Sequence, residues 1–389
     1  MIKVKIPTYI SDILSRLEDN GFKAFVVGGC VRDYLLGKIP DDWDVCTSAK
    51  PQEMPDIFAD YTIIPTGIKH GTVTILSQNN PVEVTTFRSD GRYTDNRHPE
   101  DVEFLLDIDG DLARRDFTIN AMAYSPKHGL IDLFDGKNDL KNKTLRCVGN
   151  PIQRFNEDAL RIMRGLRFSA VYNLNIEDET SSAIHQLSKN LDNIARERIW
   201  AEFSKLLLAD RPFSIISVYS DVIRQAINTN VDFLNIDKLP KHIPLRLAVL
   251  LNNLSRQELS SLLSNLKTDN RTRLTALLIK DMENIAIPKT LAETRRLINK
   301  IGRENVPLFI DVKKYENHDL TKFKYFIDEI NEKNLCCSLS ELDISGKDLI
   351  DNNITDGTEI GRTLNLLLER VIDGKLENNK KILLKSLFL

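Results

Sequence analysis

The chain has 389 residues, 42% of them hydrophobic and 28% charged, with a formal net charge of −3. That length exceeds one ordinary core and calls for two to four domains of a soluble globular protein. No apolar run approaches the ~20 residues of a membrane helix, Met1 to Pro7 lacks the apolar stretch of a signal peptide, and the five cysteines have no metal-ligand spacing, which points to reduced thiols in a cytoplasm.

Read in chain order, the first part alternates helix and strand signals. Ser11 to Asp19 is patterned as an amphipathic helix, and Lys23 to Val27 as a short apolar strand running into Gly28-Gly29. Trp43 to Cys46 reads as a strand, and Ser48 as the start of a helix with Pro51 in its first turn. Thr62 to Pro65, Thr72 to Leu76 and Pro81 to Phe87 have strand composition, so a mixed α/β domain of about 135 residues is expected. After about Lys137 strands are expected to stop. Helical spacing recurs in Ala159 to Phe168, Thr180 to Leu191, Ile199 to Leu208, Leu245 to Leu251, Leu259 to Leu266, Ala292 to Ile301 and Leu364 to Val371.

Residues 28 to 44 carry the strongest chemical signal. Gly28-Gly29 opens a helix, where backbone N–H groups can seat phosphate. Arg32 and Asp33 follow on that helix. Asp42 and Asp44, two apart on a strand, point to one side. Two carboxylates aimed at one point repel unless a cation lies between them, and Mg²⁺ favours such carboxylates together with substrate phosphates. Glu83, in an apolar strand, is a candidate third carboxylate on a buried edge, or else a solvent-facing residue of an alternating strand.

Two later segments belong to the same argument. Arg114-Arg115-Asp116 precedes a predicted helix; the arginines can fork onto phosphate or ribose oxygens, Asp116 can join them or cap the helix, and Asn120 shares its helix face. Glu157, Asp158 and Arg161 share one face of the first strong helix of the second part, with Arg164 a turn on. That pattern is either a helix salt bridge or an acceptor and donor set for the edge of a base, with Arg164 reaching phosphates. Between Lys137 and Phe168 there are eight basic and three acidic residues, which suits a basic channel for a polyanion or a solvated helix face.

Together these segments resemble the class II tRNA nucleotidyltransferases, which include the bacterial and eukaryotic CCA-adding enzymes and belong with poly(A) polymerase to the polymerase β-like superfamily. The resemblance spans Phe25 to about Leu208. Gly28-Gly29, Arg32-Asp33 and Asp42-x-Asp44 look like the family's first motif, and Arg114-Arg115-Asp116 like its ribose-selecting motif. Asp139 to Arg146 is similar to the hinge between head and neck, and Glu157-Asp158-x-x-Arg161 matches its amino-acid template for bases. Glu197-Arg198 to Glu202 resembles the segment that braces that template. Ile344 to Leu349 with Gly357 and Gly361 resembles the family's tail, whereas Asp41 stands where a lysine is common.

The resemblance implies an α/β nucleotidyltransferase head (1–137) followed by an all-α neck (138–208), body (209–310) and tail (311–389). It implies addition of CCA to the 3′ end of tRNA from CTP and ATP, with two Mg²⁺ ions (Mn²⁺ being an alternative) on Asp42 and Asp44, helped by Glu83. Gly28, Gly29, Arg32 and Arg164 would hold the triphosphate, Arg115, Asp116 and Asn120 the ribose region, and Asp158 and Arg161 the base. The helical half would grip the tRNA acceptor arm, with no membrane and no obligate protein partner. Thr86 to Pro99 has the composition of a flexible loop, whose length argues against a CC-only enzyme but does not separate a full CCA enzyme from an A-adding one. A poly(A) polymerase, an antibiotic nucleotidyltransferase and a non-catalytic RNA-binding relative remain as further readings.

Overall fold

The structure is a computed structural model that describes residues 4–90 and 102–388. Residues 91–99 of the expected loop lie outside the described residues, and its start is strand instead of loop, Arg88–Asp90 included. Contacts divide the chain into two units: residues up to 233 with 262–268, and 234–261 with the remainder.

The first unit begins with α1 (Thr8–Asp19), β1 (Ala24–Val27), α2 (Gly29–Leu35), β2 (Asp44–Thr47), α3 (Met54–Ile57), β3 (Thr62–Gly67), β4 (Thr72–Ser77) and β5 (Asn80–Thr86). Next come β6 (Arg88–Asp90), β7 (Val102–Phe104), α4 (Ile108–Ala113), β8 (Met122–Ser125), β9 (Gly129–Asp132) and α5 (Gly136–Lys141). Seven strands form one mixed sheet in the order β3-β4-β5-β2-β1-β8-β9. β2 and β5 run parallel, and the other neighbours are antiparallel. β1, Ala-Phe-Val-Val, is buried along its whole length, as an apolar run covered on both faces must be. α1 buries Ile10, Ile13, Leu14 and Leu17, the apolar stripe expected of its spacing. Phe25, Val27, Cys46 and Phe87 pack with Ile108 and Leu112 of α4 in one cluster.

A helical stretch follows: β10 (Thr144–Leu145), α6 (Pro151–Glu157), α7 (Leu160–Tyr172), β11 (Asn175–Ile176), α8 (Asp178–Leu187), α9 (Arg196–Leu207), α10 (Pro212–Val218) and α11 (Ser220–Ile227). The second unit carries helices from Ile243–Leu250 to Lys380–Lys385, among them Leu291–Ile301 and Gly357–Ile372. There the buried guanidinium of Arg295 donates to the carbonyls of Cys336, Val371 and Ile372, so that the last of these helices ends against a cation. No helix among the described residues is long and apolar enough to cross a membrane.

Several expectations need correction. Strands do not stop at Lys137: β10 and β11 form a two-residue parallel ladder, too short to leave a period-2 signature. Ser48 does not open a helix; α3 starts only at Met54, with Pro51 in the preceding turn. Asp42 precedes β2 instead of lying on it. Thr118–Asn120 is a single 3₁₀ turn with no side-chain cap, not an α-helix capped by Asp116. Glu83 is exposed, and β5 is an interior strand of the sheet, not an edge. Finally, Glu157 and Arg161 do not share a continuous helix: α6 ends at Glu157, Asp158 is extended (φ −141°, ψ 103°), and α7 starts at Leu160. The Asp158 side chain accepts from the Leu160 N–H at 3.0 Å, a local bond that competes with the helix ladder and breaks it there.

Candidate active site

The sheet register sets the carboxylates. Val45 is opposite Val84 and Cys46 opposite Thr85 in the parallel β2–β5 pair, so Asp44 and Glu83 stand side by side on one face. Asp44 is exposed, but partial desolvation of its carboxylate, with Glu83 and Asp42, raises its pKa, and Arg115 pulls it down. A carboxylate pushed up by like charges is a site that a cation would relieve. The donors are hard oxygens, which fits Mg²⁺ or Mn²⁺ completed by substrate phosphates and water. Among the described residues, however, no three acidic, histidine or cysteine side chains gather into a ready-made metal site.

Antiparallel pairing puts Asp44 opposite Val27, one residue before the glycine turn. Gly28 has φ +71° and ψ −119°, and caps α2. A Cβ at that position would lie 2.7 Å from Nη1 of Arg115, so the guanidinium occupies space that only glycine leaves open.

Arg115 is held by Asp111, a fully buried residue of α4 that also binds Arg114 at 2.7 Å. Burial opposes the Asp111 carboxylate, but Arg115 and Arg114 outweigh it and keep its pKa below the ordinary value. Arg115 Nε is buried without a hydrogen-bond partner, a donor left over for something else. Asp116 accepts from the Phe117 N–H, from Asn120 Nδ2 at 3.1 Å and from Arg164 Nε at 2.8 Å, and Nη2 of Arg164 lies 2.7 Å from it as an ion pair. Burial works against its charge, but Arg164 and Asn120 bring its pKa down to about 2. Asn120 Oδ1 in turn accepts from Arg32 at 2.6 Å. Asp116 and Asn120 therefore meet through a 3₁₀ turn and not along a helix face.

The kink between α6 and α7 redistributes the expected base-reading pair. Arg161 binds Glu157 at 2.8 Å and the Arg114 carbonyl at 2.9 Å. Asp158 binds Arg198 of α9 at 2.8 Å, not Arg161. One turn along α9, Glu202 takes Arg167 at 2.5 Å. A cavity of about 530 Å³ has Gly28, Gly29, Arg32, Asp44, Arg115, Asp116 and Asn120 on its head side. Asp158, Arg161, Arg164, Arg167, Phe168 and Arg198 line its other side. Asp42 and Glu83 are not part of its walls.

The expected basic channel takes a different form. Lys137, Lys141, Lys143 and Arg146 are exposed, away from this cavity, and its arginines are each paired with a carboxylate. Asp111, Arg167 and Phe168 had no sequence signal of their own. Arg167 counted only in a charge run, and nothing marked Asp111 apart from other acidic residues near a helix start.

Sequence-family models match three stretches: the poly A polymerase head domain over 24–146, a probable RNA and SrmB-binding site of polymerase A over 173–218, and a putative tRNA nucleotidyltransferase domain 2 over 244–387. A CCA-adding enzyme from Lactococcus lactis subsp. cremoris is 35% identical over 387 residues, covering 95% of this chain and 92% of that protein. The chain belongs to the CCA-adding enzymes. A CCA-adding enzyme from Leuconostoc citreum is 37% identical over 392 residues, covering 96% of this chain and 94% of that one. A crystal structure of the Bacillus stearothermophilus CCA-adding enzyme in complex with CTP matches with TM-score 0.80 at 27% identity, over 98% of both chains. The Thermotoga maritima CCA-adding enzyme complexed with tRNA shares the fold, with TM-score 0.69 at 21% identity over 99% of this chain and 96% of that one. These CCA-adding enzymes share the mixed-sheet head and helical remainder.

Proposed function

We propose that the cavity between the glycine turn and α7 is the centre at which this tRNA nucleotidyltransferase adds C, C and A from CTP and ATP to the 3′ end of tRNA. The observation that carries the reading is the convergence of Asp44, the Gly28-Gly29 turn, Arg115-Asp116 and the Asp158, Arg161 and Arg164 set on one cavity. The terminal 3′-hydroxyl oxygen bonds to the α-phosphorus of the incoming nucleotide. The α–β bridging P–O bond breaks, pyrophosphate departs, and the hydroxyl proton is lost to solvent.

Asp42 and Asp44, with Glu83 beside Asp44, would hold two divalent cations, which supply charge to activate the hydroxyl and to neutralise the leaving pyrophosphate. The Gly28 N–H is taken by the Met122 carbonyl at 3.0 Å, so the glycine turn offers the triphosphate the Gly29 N–H and a close approach, and Arg32 and Arg164 offer their remaining guanidinium donors. Arg115, Asp116 and Asn120 orient the ribose. Asp158 and Arg161 present an acceptor and a donor to the base edge, and Arg198 holds Asp158 in place for that task. Because Arg161 and Asp158 are tied to Glu157 and Arg198, a base has to compete with those pairs or use their free edges.

Head 1–137, neck 138–208, body 209–310 and tail 311–389 remain the working division, with the helical half holding the acceptor arm by backbone and shape. A tRNA substrate implies work in the cytoplasm. The test is incorporation of labelled CTP and ATP, separately and together with Mg²⁺, on tRNA transcripts ending at the discriminator base, after one C and after CC. Addition of C, C and A that then stops is expected. Addition of A alone to the CC-ended transcript would make the chain an A-adding enzyme, and no incorporation would overturn the reading.

A further inference from the structure

Two rings on one face of α7 carry cations of the cavity wall, and nothing in the reading above uses them. Phe168 and Tyr172 are one helical turn apart. The guanidinium of Arg167 lies 4.0 Å from the Phe168 centroid, that of Arg32 5.2 Å and that of Arg164 5.3 Å. Arg32 also lies 4.4 Å from the Tyr172 centroid, and Lys38 4.7 Å from it. Phe168 is 4% exposed and is itself part of the cavity wall.

Each of these arginines has one close carboxylate: Asp33 for Arg32, Asp116 for Arg164 and Glu202 for Arg167, with Glu202 also 4.0 Å from Arg164. An ion pair fixes one edge of a guanidinium, but it consumes N–H donors in doing so. A ring face attracts the cation without accepting any of its N–H groups in a directed bond. It also offsets the mutual repulsion of three like charges around a single point. A second carboxylate in close contact with each arginine would fix the plane equally well, but would leave fewer donors for a phosphate.

We propose that Phe168 and Tyr172 are positioning residues for nucleotide binding, their rings holding the guanidinium planes of Arg32, Arg164 and Arg167 so that free N–H edges meet the triphosphate of the incoming nucleotide. The inference rests on the reading of this cavity as the CTP and ATP site. It adds which apolar side chains shape the cradle and which part of the nucleotide they serve.

The test uses the full chain with Mg²⁺, measuring KM and kcat for CTP on a transcript ending at the discriminator base and for ATP on one ending after CC. The variants are Phe168→Leu, Phe168→Tyr, Tyr172→Leu and Tyr172→Phe. The leucine variants are expected to raise KM for both nucleotides by the same factor, about fivefold, with kcat within about twofold of the parent. The factor is common because the triphosphate is common. Phe168→Tyr and Tyr172→Phe keep the ring and are expected to stay within about twofold of the parent in KM.

Unchanged KM in both leucine variants overturns the proposal, as does loss of kcat at constant KM. A KM rise for only one nucleotide also overturns it, because the rings would then act on the base. Conservative variants as damaged as the leucine ones would do the same. Should Phe168→Leu fail to fold, as read by circular dichroism, the half-buried Tyr172 at the end of α7 decides the matter alone. A parent chain that incorporates neither nucleotide overturns the site reading and this inference together. An active parent with indifferent leucine variants overturns only the inference.

Discussion

Replacing Asp116 by asparagine probes the joint between the head and α7. The substitution keeps the shape and removes one charge. Asp116 is 7% exposed, and three hydrogen bonds end on its carboxylate, one of them from Arg164, whose Nη2 adds an ion-pair contact. Its pKa falls from 3.8 to about 2 against the pull of burial, and a shift of that size corresponds to about 2 kcal/mol in favour of the ionised form. Stranding Arg164 adds to the cost, though less than the 3–5 kcal/mol typical of a fully buried pair, because its side chain is 35% exposed and Glu202 lies 4.0 Å away. The expected loss at pH 7 is therefore about 2–3 kcal/mol.

Because the folded pKa is depressed, this contribution is fully present above the unfolded value near 4 and disappears as the pH falls through about 2. The variant's deficit should thus be constant from pH 7 to pH 5 and shrink below about pH 4. Urea unfolding followed by tryptophan fluorescence reads it, since both tryptophans, Trp43 and Trp200, lie in the first unit. A deficit under about 0.5 kcal/mol at pH 7, or one that grows toward pH 4, would refute the assigned pairing.

Asp42→Ala is expected to abolish nucleotide incorporation while tRNA binding, read by gel shift, stays nearly intact; chelation of divalent ions should do the same to the parent, reversibly on adding Mg²⁺. Near-normal turnover in Asp42→Ala would remove that residue from the metal assignment. Arg161→Ala is expected to lose discrimination between CTP and ATP more than turnover, and an unchanged preference ratio would count against its role at the base. Gly28→Ala should cost about 1–3 kcal/mol from its positive φ. The added methyl must also displace the Arg115 guanidinium, so KM for both nucleotides should rise. A Gly28→Ala chain with parental stability and KM would show that the glycine turn does not need the close approach of Arg115.

The parts of this fold that were legible are those in which a local pattern agrees with the tertiary role. β1 is apolar because both of its faces are covered, and α1 is striped because one face is. The α/β head and the helical remainder followed from such signals together with the family resemblance. What escaped the sequence was decided by contacts between distant segments. Asp158 leaves helical geometry because its side chain bonds the Leu160 N–H and its carboxylate is drawn to Arg198, forty positions along the chain. Helical spacing alone assigns Asp158 to the face of Arg161. Glu83 looked buried because its neighbours are apolar, yet alternation along β5 turns it outward beside Asp44. Asp111 carries two arginines of the cavity and has no motif at all.

On the proposed reading, the pairing of charges bears on how such a cavity would receive a nucleotide triphosphate. A cluster of unpaired arginines would attract any polyanion and would be costly to bring together without its ligand. Here Arg32, Arg114, Arg115, Arg161, Arg164, Arg167 and Arg198 meet Asp33, Asp111, Asp116, Glu157, Asp158 and Glu202, so that the cations are largely compensated before a nucleotide arrives. An arginine in a bidentate pair still has N–H donors to spare, whereas a lysine has at most two left and no fixed plane. Attraction is then short-ranged and directional, and it depends on the ligand presenting oxygens where those edges point. The uncompensated charge sits instead at Asp44 with Glu83 and Asp42, and it is negative. A free triphosphate would be repelled there, and one accompanied by divalent cations would be drawn in. On the proposed reading, selection for the cation-bearing nucleotide would then be a property of the carboxylates, and selection of orientation a property of the arginines.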